Sequence, residues 1–499
     1  MKDSQKHIIH KVYLEVNTHS KEKAFALKDD ISSFLNLEVF PEIERYFEQL
    51  EQQLPEFAIQ IDQLELDITT QKPELNLTLK QQLVEEVQKQ IEKSLTATRN
   101  TTEKKNSPKF LDKEKHQLET LLYFIEHGMA PWWFVETSIT SLLEDSQLIP
   151  LIEQPYFKSR LLRILPQTQV QKRLIHQLSV SALKKIVTLY VPQLENSITT
   201  LKETFESIAP LPTTIQKRLW LELLKTIAIQ KEISEISIQK EIIKHYKNND
   251  ISFPIDNTTL KIVLEKLAGE VTKTQETTAI NIPETTVSKE LTEDKKNLST
   301  VKNKLDGNGN EKKDIFSITN DVDQSTTKDD AKLLEKGIHV ANAGLILAHP
   351  FLPHLFKHCD VLDQDKNISQ PELAAHILHY LATGKTQQAE SDLLFEKFLC
   401  NIPFQQSIDR HIILTDLHKE HTEKVLDATR QNWKDMHKSS FGLLQNEFLQ
   451  RPGKLEFRKN DAILTVERKT QDILLNKISW GISMVRLPWK KGFIYVHWV

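Results

Sequence analysis

Hydrophobic residues follow two alternating periods near the start of the chain. An alternating run over residues 7–16 predicts a half-buried strand. Apolar positions between Lys23 and Leu50 recur at helical spacing, and we expect Pro41 to divide this stretch into two helices. From Phe57 the period returns to two, with a bulge expected near Asp62, before a last helical pattern in steps of four. The pattern therefore predicts a small β-α-β-α unit over residues 1–95.

Amphipathic helical patterns dominate the middle of the chain. Residues 96–109 are polar and predict a linker, whereas residues 110–269 show only helical periodicity. Prolines break helices, because they lack a donor and clash with the preceding turn. Prolines lie at positions 131, 150, 155, 166, 192, 210, 212 and 254. We therefore predict a helical domain of short stacked helices; a solenoid of degenerate helix pairs remains an open alternative, since no fixed repeat is evident.

The last third of the chain changes character twice. Residues 270–332 are rich in Thr, Lys, Asp, Glu and Asn and carry one aromatic residue, Phe316. Such a segment buries too little apolar surface to offset chain entropy, which predicts a disordered linker. Residues 333–499 return to helical patterns and then alternate from Lys454 onwards. We expect a helical C-terminal domain that ends in a small antiparallel β-sheet.

Glycine usage narrows the fold class. The chain has 11 glycines in 499 residues, and nine of them lie at or after Gly307. This is about a third of average usage. Glycine supplies the positive φ angles of hairpin turns and phosphate-binding loops, so sandwiches, barrels and doubly wound nucleotide binders are disfavoured. The sequence therefore predicts a mainly α protein with a small α/β unit at its N-terminus.

Charge and cysteine content exclude several classes of partner. The net charge is −4, from 65 basic and 69 acidic side chains, which gives no chain-wide attraction for nucleic acid or anionic lipid. Two cysteines, Cys359 and Cys400, cannot form a disulfide framework or a Cys-x-x-Cys zinc site. We find no signal peptide and no long apolar run. We therefore expect a protein that is cytoplasmic in the producing cell, with no nucleic-acid partner and no membrane insertion.

Two short patterns resemble chemical sites. Gly384-Lys385-Thr386 ends like a phosphate-binding loop, but His379 occupies the position of the required first glycine, so we predict a helix C-cap instead. His354 and His358 are spaced as metal ligands on one helix face, yet no glutamate follows His354 as in a His-Glu-x-x-His protease. We therefore predict no catalytic, cofactor-binding or metal-binding residue and no enzymatic activity. A metal- or nucleotide-dependent enzyme remains a distant alternative.

Several short segments are distinctive when they are taken together and in order. They are Ile61-Asp62-Gln63-Leu64-Glu65-Leu66-Asp67, Gly128-Met129-Ala130-Pro131-Trp132-Trp133, Ala343-Gly344-Leu345-Ile346-Leu347, Arg451-Pro452-Gly453, Trp480-Gly481-Ile482, Leu487-Pro488-Trp489 and Trp498. Together they resemble the tape measure proteins of phage-tail-like contractile injection systems. The resemblance spans most of the chain and is densest near its C-terminus. Lys490 and His497 depart from the family pattern, in which a methionine and an acidic residue are usual.

The resemblance implies a structural component that sets inner tube and sheath length during assembly, without catalytic residues or cofactors. Its implied partners are protein components of the particle, namely the inner tube, the spike or baseplate, or a cap. A helical adaptor or cap of the same particle is the alternative function. Candidate interaction or structural residues are Pro131, Trp132, Trp133, Arg451, Pro452, Gly453, Trp480, Gly481, Leu487, Pro488, Trp489 and Trp498. For the tail tryptophans, core filling competes with a role as aromatic anchors on a partner.

Chain dimensions limit how such a ruler works. A single helix of the whole chain would span roughly 750 Å at the α-helical rise. The segment 270–332 alone would reach about 210 Å extended or about 44 Å as a coil. Because the prolines argue against one rod, we hypothesise that the span is set by unstacked helices together with this segment.

Overall fold

The computed structural model describes residues 9, 12, 13, 15, 30–53, 57–61, 64–69, 77–98, 109–131, 133–134, 138–192, 197–251, 337–458 and 461–498. The strand expected at 7–16 lies largely outside these residues, and the linker expected at 270–332 lies wholly outside them. Within the described parts the chain is mainly helical, with one five-stranded sheet close to the C-terminus. The predicted fold class is confirmed.

Pro41 does not divide the first helix, contrary to the sequence prediction. Residues 30–34 are helical, Leu35–Val39 form a π-helical turn, and α1 follows directly at Phe40–Gln53. The π turn places the Phe40 N–H on the Leu35 carbonyl. Pro41 is then the second residue of the α-helical segment that follows. Its missing N–H falls where the π-helical hydrogen-bond pattern changes to the α-helical one.

The N-terminal unit pairs with the start of the middle region. Strand β1 (Phe57–Gln60) is antiparallel to β2 (Lys109–Asp112), and α2 (Leu77–Thr98) lies between them in sequence. The strand expected over residues 64–68 is not formed, and these residues have no regular secondary structure. β2 thus begins where the polar linker was expected to end, and it leads directly into the first helix of the middle region.

The middle region, residues 109–251, is a stack of short helices. These are α3 (Lys113–His127), α4 (Asp145–Glu153), α5 (Pro155–Ile164), α6 (Thr168–Gln177), α7 (Val180–Leu189), α8 (Ser197–Glu206), α9 (Thr213–Gln230) and α10 (Glu235–Asn248), with a 3-10 turn at Ile139–Leu143. Pro155 begins α5 and Pro212 caps α9, as the proline pattern predicts. Pro150 lies inside α4, so it does not break a helix as the proline pattern predicted. Their apolar faces form one core cluster.

The C-terminal region, residues 337–498, surrounds a second core with helices and strands. Its helices are α11 (Leu352–His358), α12 (Pro371–Thr383), α13 (Leu394–Leu399), α14 (Asp416–Gln431) and α15 (Phe441–Leu444), with 3-10 turns at Ala343–Ala348, Glu390–Leu393, Lys434–Met436 and Thr470–Lys477 and a π turn at Gln445–Leu449. Its strands are β3 (Ile338–Val340), β4 (Gly453–Arg458), β5 (Asp461–Val466), β6 (Met484–Val485) and β7 (Ile494–Trp498).

The C-terminal sheet is mixed, although the alternation predicted an antiparallel one. Its strand order is β3-β4-β5-β7-β6, and β5 pairs with β7 in parallel while the other three pairs are antiparallel. The connection from Val466 to Ile494 contains the 3-10 turn and β6, and it is long enough to return the chain to the same end of the sheet. Side-chain alternation reveals strands but not the direction of their partners.

Candidate functional site: the junction of the two helical regions

The middle and C-terminal regions meet along a polar contact that we call the junction. It is formed by the ends of α3 and α6 on one side and by residues 388–411 on the other. Each hydrophobic core also includes one residue of the other region: Met129 packs in the C-terminal core, and Ala389 packs in the core of the middle region. The two regions are therefore in direct contact through both apolar and polar side chains.

Three fully buried charged side chains lie at the centre of the junction. Arg173 Nε lies 3.1 Å from Glu390 Oε1, and Lys397 Nζ lies 3.4 Å from the same oxygen. All three side chains have 0% exposure. Burial lowers the pKa of Lys397, which the Glu390 carboxylate partly opposes. A buried charge of this kind is stable only when partners replace its lost hydration.

Backbone carbonyl groups supply the remaining partners. Arg173 Nη1 donates to the carbonyls of Ile125 and Glu126 at 2.7 and 3.0 Å, and Nη2 donates to that of Gln405 at 2.7 Å. Lys397 Nζ donates to two further carbonyls of the 404–406 turn, each at 2.6 Å. The last carbonyl groups of a helix lack partners within the helix and favour a nearby cation. Arg173 supplies this cation at the C-terminal end of α3 and at the same time contacts the C-terminal region.

Gly128 makes room for this network. It ends α3 with φ +74° and donates its N–H to the Phe124 carbonyl at 2.7 Å. A Cβ at this position would overlap Glu390 Oε1 and crowd the Arg173 guanidinium. The first residue of the Gly128–Trp133 signature therefore permits the close approach of Glu390 to the end of α3, which is a structural reason for glycine there.

Further polar contacts extend the junction on both sides of Arg173. Gln177 bridges by donating Nε2 to the Ile408 carbonyl at 2.7 Å and accepting the Glu390 N–H at 3.1 Å. The Arg410 N–H donates to the His176 carbonyl at 3.1 Å. Additional pairs across the junction are Lys217–Asp409, Arg410–Glu144, Ser138–Asp392 and Thr140–Gln388. Backbone bonds and ion pairs together hold the two regions in a defined relative position.

Two histidines, His176 in the junction and His376 beside it on α12, are held neutral. Desolvation lowers the pKa of His176 to about 4, and its Nδ1 lies 3.1 Å from Ser407 Oγ. Desolvation also lowers the pKa of His376 to about 4, and its Nε2 donates to the Asp409 carbonyl at 2.8 Å. Both side chains are nearly buried against polar groups of residues 407–409. Protonating either one would place a positive charge beside the Lys217–Asp409 pair.

The sequence motifs did not identify these junction residues. Arg173 lies between Val170 and Leu174 on a helix whose neighbouring positions are buried. The one signal in the sequence was a cation at a core-facing helical position. Because long charged side chains are rarely fully buried unless they are paired, such a cation indicates a buried partner elsewhere in the chain. Its partner, Glu390, lies 217 residues away and has no local signature.

The Arg451-Pro452-Gly453 motif lies inside the C-terminal core. Arg451 is fully buried, and its Nη2 and Nη1 lie 2.7 and 3.2 Å from the Asp472 carboxylate. It also donates to the carbonyls of Glu447 and Glu467. A Cβ on Gly453 would lie 2.5 Å from Ala343 Cβ and 2.6 Å from the Thr465 carbonyl oxygen. The motif therefore locks the start of β4 against its neighbours, while Pro452 is exposed.

The tail tryptophans pack on the same core. Trp480 Nε1 donates to the Leu347 carbonyl at 3.0 Å, and its ring meets Phe351 edge-on at 5.4 Å. Trp489 is 7% exposed and donates to the Leu399 carbonyl at 2.8 Å. Trp498 is partly buried against the same cluster. Of the other predicted tail residues, Leu487 is buried, whereas Gly481 and Pro488 are exposed.

The Pro-Trp-Trp motif follows Gly128 at the junction. Pro131 is buried, and its carbonyl accepts the Phe134 N–H at 3.0 Å. Trp133 is half-buried, with Nε1 3.3 Å from Thr120 Oγ1 and its ring edge-on to Tyr123 at 5.3 Å. Trp132 lies outside the described residues.

Patterns that resembled chemical sites have structural explanations or no ligand geometry. Gly384 caps α12 with φ +68° and donates to the Tyr380 carbonyl, which confirms the predicted C-cap. The His354 and His358 rings contact each other with centroids 3.9 Å apart and their planes tilted by 30°. Over the described ranges, no group of three His, Cys, Asp or Glu side chains is placed to hold a metal ion.

Lys490, one of the two departures from the family pattern, is accommodated inside the fold. Its Nζ donates to the Phe398 carbonyl at 2.6 Å and lies 3.8 Å from the centre of the Phe398 ring. Asn401 Oδ1 accepts a further bond at 3.0 Å. Burial lowers the pKa of this lysine to about 8. The amine thus occupies a largely buried position by replacing water with a carbonyl, an amide and an aromatic face.

Comparisons with known proteins bear on identity. No helix in the described part of the chain is long and apolar enough to cross a membrane. No curated protein matches the chain, and no solved structure matches it. The model of one family, the contractile injection system tape measure proteins, matches residues 6–498. This match covers nearly the whole chain and agrees with the order of the motifs located above, so the protein belongs to the contractile injection system tape measure protein family.

Proposed function

We propose that this tape measure protein anchors one end of its particle as a folded body and acts by binding protein components, without catalysis. The body comprises the middle and C-terminal regions joined at the junction. The observation that carries the proposal is the buried group of Arg173, Glu390 and Lys397, since separating the regions would break the Arg173–Glu390 contact and leave these charges without a buried partner from the other region.

Size supports an anchor over an extended rod. The body contains about 300 residues and, as a compact globule, has an expected radius of gyration of about 19 Å. The same residues in a single α-helix would span about 450 Å. A folded body therefore adds little length along a tube. The length must come from other parts of the chain, or from these helices when they separate from one another.

Chain connectivity also limits how far residues 252–336 can reach from the body. Residues 252–336 connect Ile251 to Gly337, and both of these end residues belong to the body. A segment with both ends on one body reaches outward at most half its contour, which is about 150 Å here. While the junction is closed, this segment cannot separate the middle and C-terminal regions along a tube.

The proposed partners are the inner tube, the spike or baseplate, or a cap. Several predicted motif residues are buried in the body, and we assign them the role of holding it together: Pro131, Arg451, Leu487 and Trp489. Exposed or half-exposed motif residues are the proposed contacts with the particle: Trp133, Pro452, Trp480, Gly481, Pro488 and Trp498. Aromatic groups at such positions provide large contact area at low entropic cost.

A deletion experiment tests where length is set. Removing 30 residues within Asn281–Asp330 shortens the particle if this segment is the ruler, and electron microscopy measures the change. The matched control replaces the same residues with a Gly/Ser sequence of equal length, which preserves contour and should preserve particle length. Unchanged length after the deletion would remove this segment from the ruler and leave the anchoring role alone.

An adaptor or cap of the same particle is the second candidate function, and the compact closed body favours it over a chain that lines the tube. Gold labelling of a C-terminal tag on purified particles distinguishes a body held at one end from a chain distributed along the tube, and the deletion experiment above distinguishes a length-setting protein from an adaptor or cap. Label at one end supports the anchored body. Label distributed along the tube lumen would contradict the proposal that the closed body sits at an end.

A further inference from the structure

A small pocket lies between the end of α13 and the strands β4, β5 and β7. Its volume is about 150 Å³, and its apolar walls are Phe398, Phe457, Ala462, Phe493 and Ile494. The rings of Phe398 and Phe457 meet edge-on with their centroids 5.6 Å apart. An apolar cavity of about 150 Å³ holds one benzene-sized molecule. The pocket therefore suits a small aromatic compound.

Lys490 supplies an amine to the wall of this pocket. Its Nζ has two hydrogen-bond acceptors, the Phe398 carbonyl at 2.6 Å and Asn401 Oδ1 at 3.0 Å. Asn401 is held in turn, because its Nδ2 donates to the Trp489 carbonyl at 2.8 Å. A neutral amine has two N–H groups and one lone pair. The two acceptors satisfy the N–H groups, and the lone pair is left to react.

The neutral form of this amine is accessible near neutral pH. Burial lowers the pKa of Lys490 to about 8. The ionisable group that acts on this pKa is Cys400, and burial raises the pKa of its thiol well above the usual range, so the thiol stays uncharged. At pH 8 about half of the Lys490 amines are then neutral, against roughly 0.4% for an ordinary lysine. Desolvated lysines of this kind act as nucleophiles.

The charged groups on the surrounding elements leave the amine without a counter-charge. Within the described part of the chain it forms no ion pair with a carboxylate. On α13, Glu396 and Lys397 bond to other partners. On the strands and the loop between them, Asp461 accepts a backbone N–H at 3.0 Å, and Arg486 and Lys491 are cations. A positive charge on the amine therefore lacks the partner that would keep a buried lysine protonated.

We propose that Lys490 forms a reversible imine with a small aromatic aldehyde that occupies this pocket. The lone pair of the amine attacks the carbonyl carbon and forms a C–N bond; the carbonyl oxygen takes up protons and leaves as water, and a C=N bond remains. Overall, an aldehyde and an ammonium group give a protonated imine and water, so no oxidant or reductant is consumed. The protonated imine keeps one N–H for the Phe398 carbonyl, and its charge stays beside the Phe398 ring.

Reductive labelling of the full-length protein tests this site. Benzaldehyde is the probe, sodium cyanoborohydride reduces any imine to a stable benzylamine, and peptide mass spectrometry measures the label at each lysine. At pH 8 Lys490 acquires label about tenfold or more faster than Lys240 and Lys477, which are exposed. This ratio falls as the pH rises from 8 to 10, because the exposed lysines become neutral only in that range.

A competitor and two variants separate pocket binding from simple reactivity. Toluene has the same ring without the carbonyl group, so it slows labelling of Lys490 and leaves that of Lys240 and Lys477 unchanged. Lys490→Met, which introduces the residue usual in the family pattern, removes this label, and circular dichroism verifies the fold. The matched control Lys477→Met leaves labelling of Lys490 unchanged.

The wild-type measurements decide the proposal even if the Lys490→Met chain does not fold. Equal labelling of the three lysines at pH 8, or labelling of Lys490 that toluene does not slow, would overturn it.

Discussion

The middle and C-terminal regions fill their interiors differently. Among its described residues, the middle region buries one charged Arg, Lys, Asp or Glu side chain, Arg173, and that residue points into the junction. The C-terminal region buries six: Glu390, Glu396, Lys397, Arg410, Arg451 and Asp472. The middle region therefore owes its packing to apolar helix faces, whereas the C-terminal region also depends on specific ionic partners.

Backbone contacts sharpen the contrast. In the C-terminal region a Cβ on Gly344 would overlap the Phe448 carbonyl, and Gly453 approaches Ala343 and Thr465 closely. In the middle region the one described glycine, Gly128, lies at the junction itself. Cores packed from apolar helix faces tolerate substitutions that conserve side-chain volume. Buried charged residues, and glycines in close contact with neighbouring atoms, do not tolerate substitution in this way. We therefore expect severe substitutions to concentrate in the C-terminal region and at the junction.

The largest effect is expected for Glu390→Ala. It leaves Arg173 and Lys397 buried without a counter-charge, so the free energy of unfolding should fall by about 4 kcal/mol. Denaturant unfolding followed by fluorescence should also show the two regions melting separately. The control is Glu153→Ala, which removes an exposed partner of Lys185 and should cost about 0.5 kcal/mol. A loss for Glu390→Ala no larger than for the control would contradict the role of the junction.

Gly344→Ala should be the next most damaging change. The added methyl group must displace the backbone at Phe448, and overpacking of this kind costs about 3 kcal/mol. Urea unfolding of the full chain measures the difference. Gly442→Ala is the matched control, because its nearest neighbour is Ser440 Oγ at 3.9 Å. Equal costs for both substitutions would show that backbone contact at Gly344 is not limiting.

Acid should weaken the junction in a defined pH window. Burial lowers the pKa values of His176 and His376 to about 4 in the folded protein, from about 6.5 for a solvent-exposed histidine. Between these values the unfolded chain binds more protons, so stability falls as pH decreases from about 6.5 to 4, by up to about 1.4 kcal/mol per pH unit for each histidine. Above this window neither histidine contributes to the pH dependence.

Unfolding free energies measured from pH 7 to pH 5 test this prediction. His376→Gln keeps a donor for the Asp409 carbonyl and should flatten the slope. An unchanged slope would show that other groups dominate the acid sensitivity.

The smallest effect is expected for an exposed pair of the middle region. Lys225 Nζ lies 2.9 Å from Glu222 on the same helix, and both side chains are more than 40% exposed. Lys225→Ala should change stability by about 0.5 kcal/mol or less, because solvent screens the pair. Thermal unfolding at low and high salt measures this change. A loss as large as that of Glu390→Ala would erase the distinction between buried and exposed charges.

Sequence patterns predicted the starts and ends of helices well where a single residue, such as a proline or a glycine, determines them. Pro155 and Pro212 mark helix starts, and Gly384 ends α12 in the left-handed conformation. The prediction failed at Pro41, because a π turn realigns the hydrogen bonds before it. It also failed over residues 64–68, since strand formation depends on a partner and alternation alone supplies none.

Helical character, the positions of helix breaks, the alternating tail and family membership all follow from the sequence, because they depend on residues a few positions apart or on motif order. The parallel pairing of β5 with β7, the pairing of β1 with β2, and the partnership of Arg173 with Glu390 were decided by the tertiary structure. The last pair is separated by 217 residues. Such contacts form only when whole elements pack, so no local period can encode them.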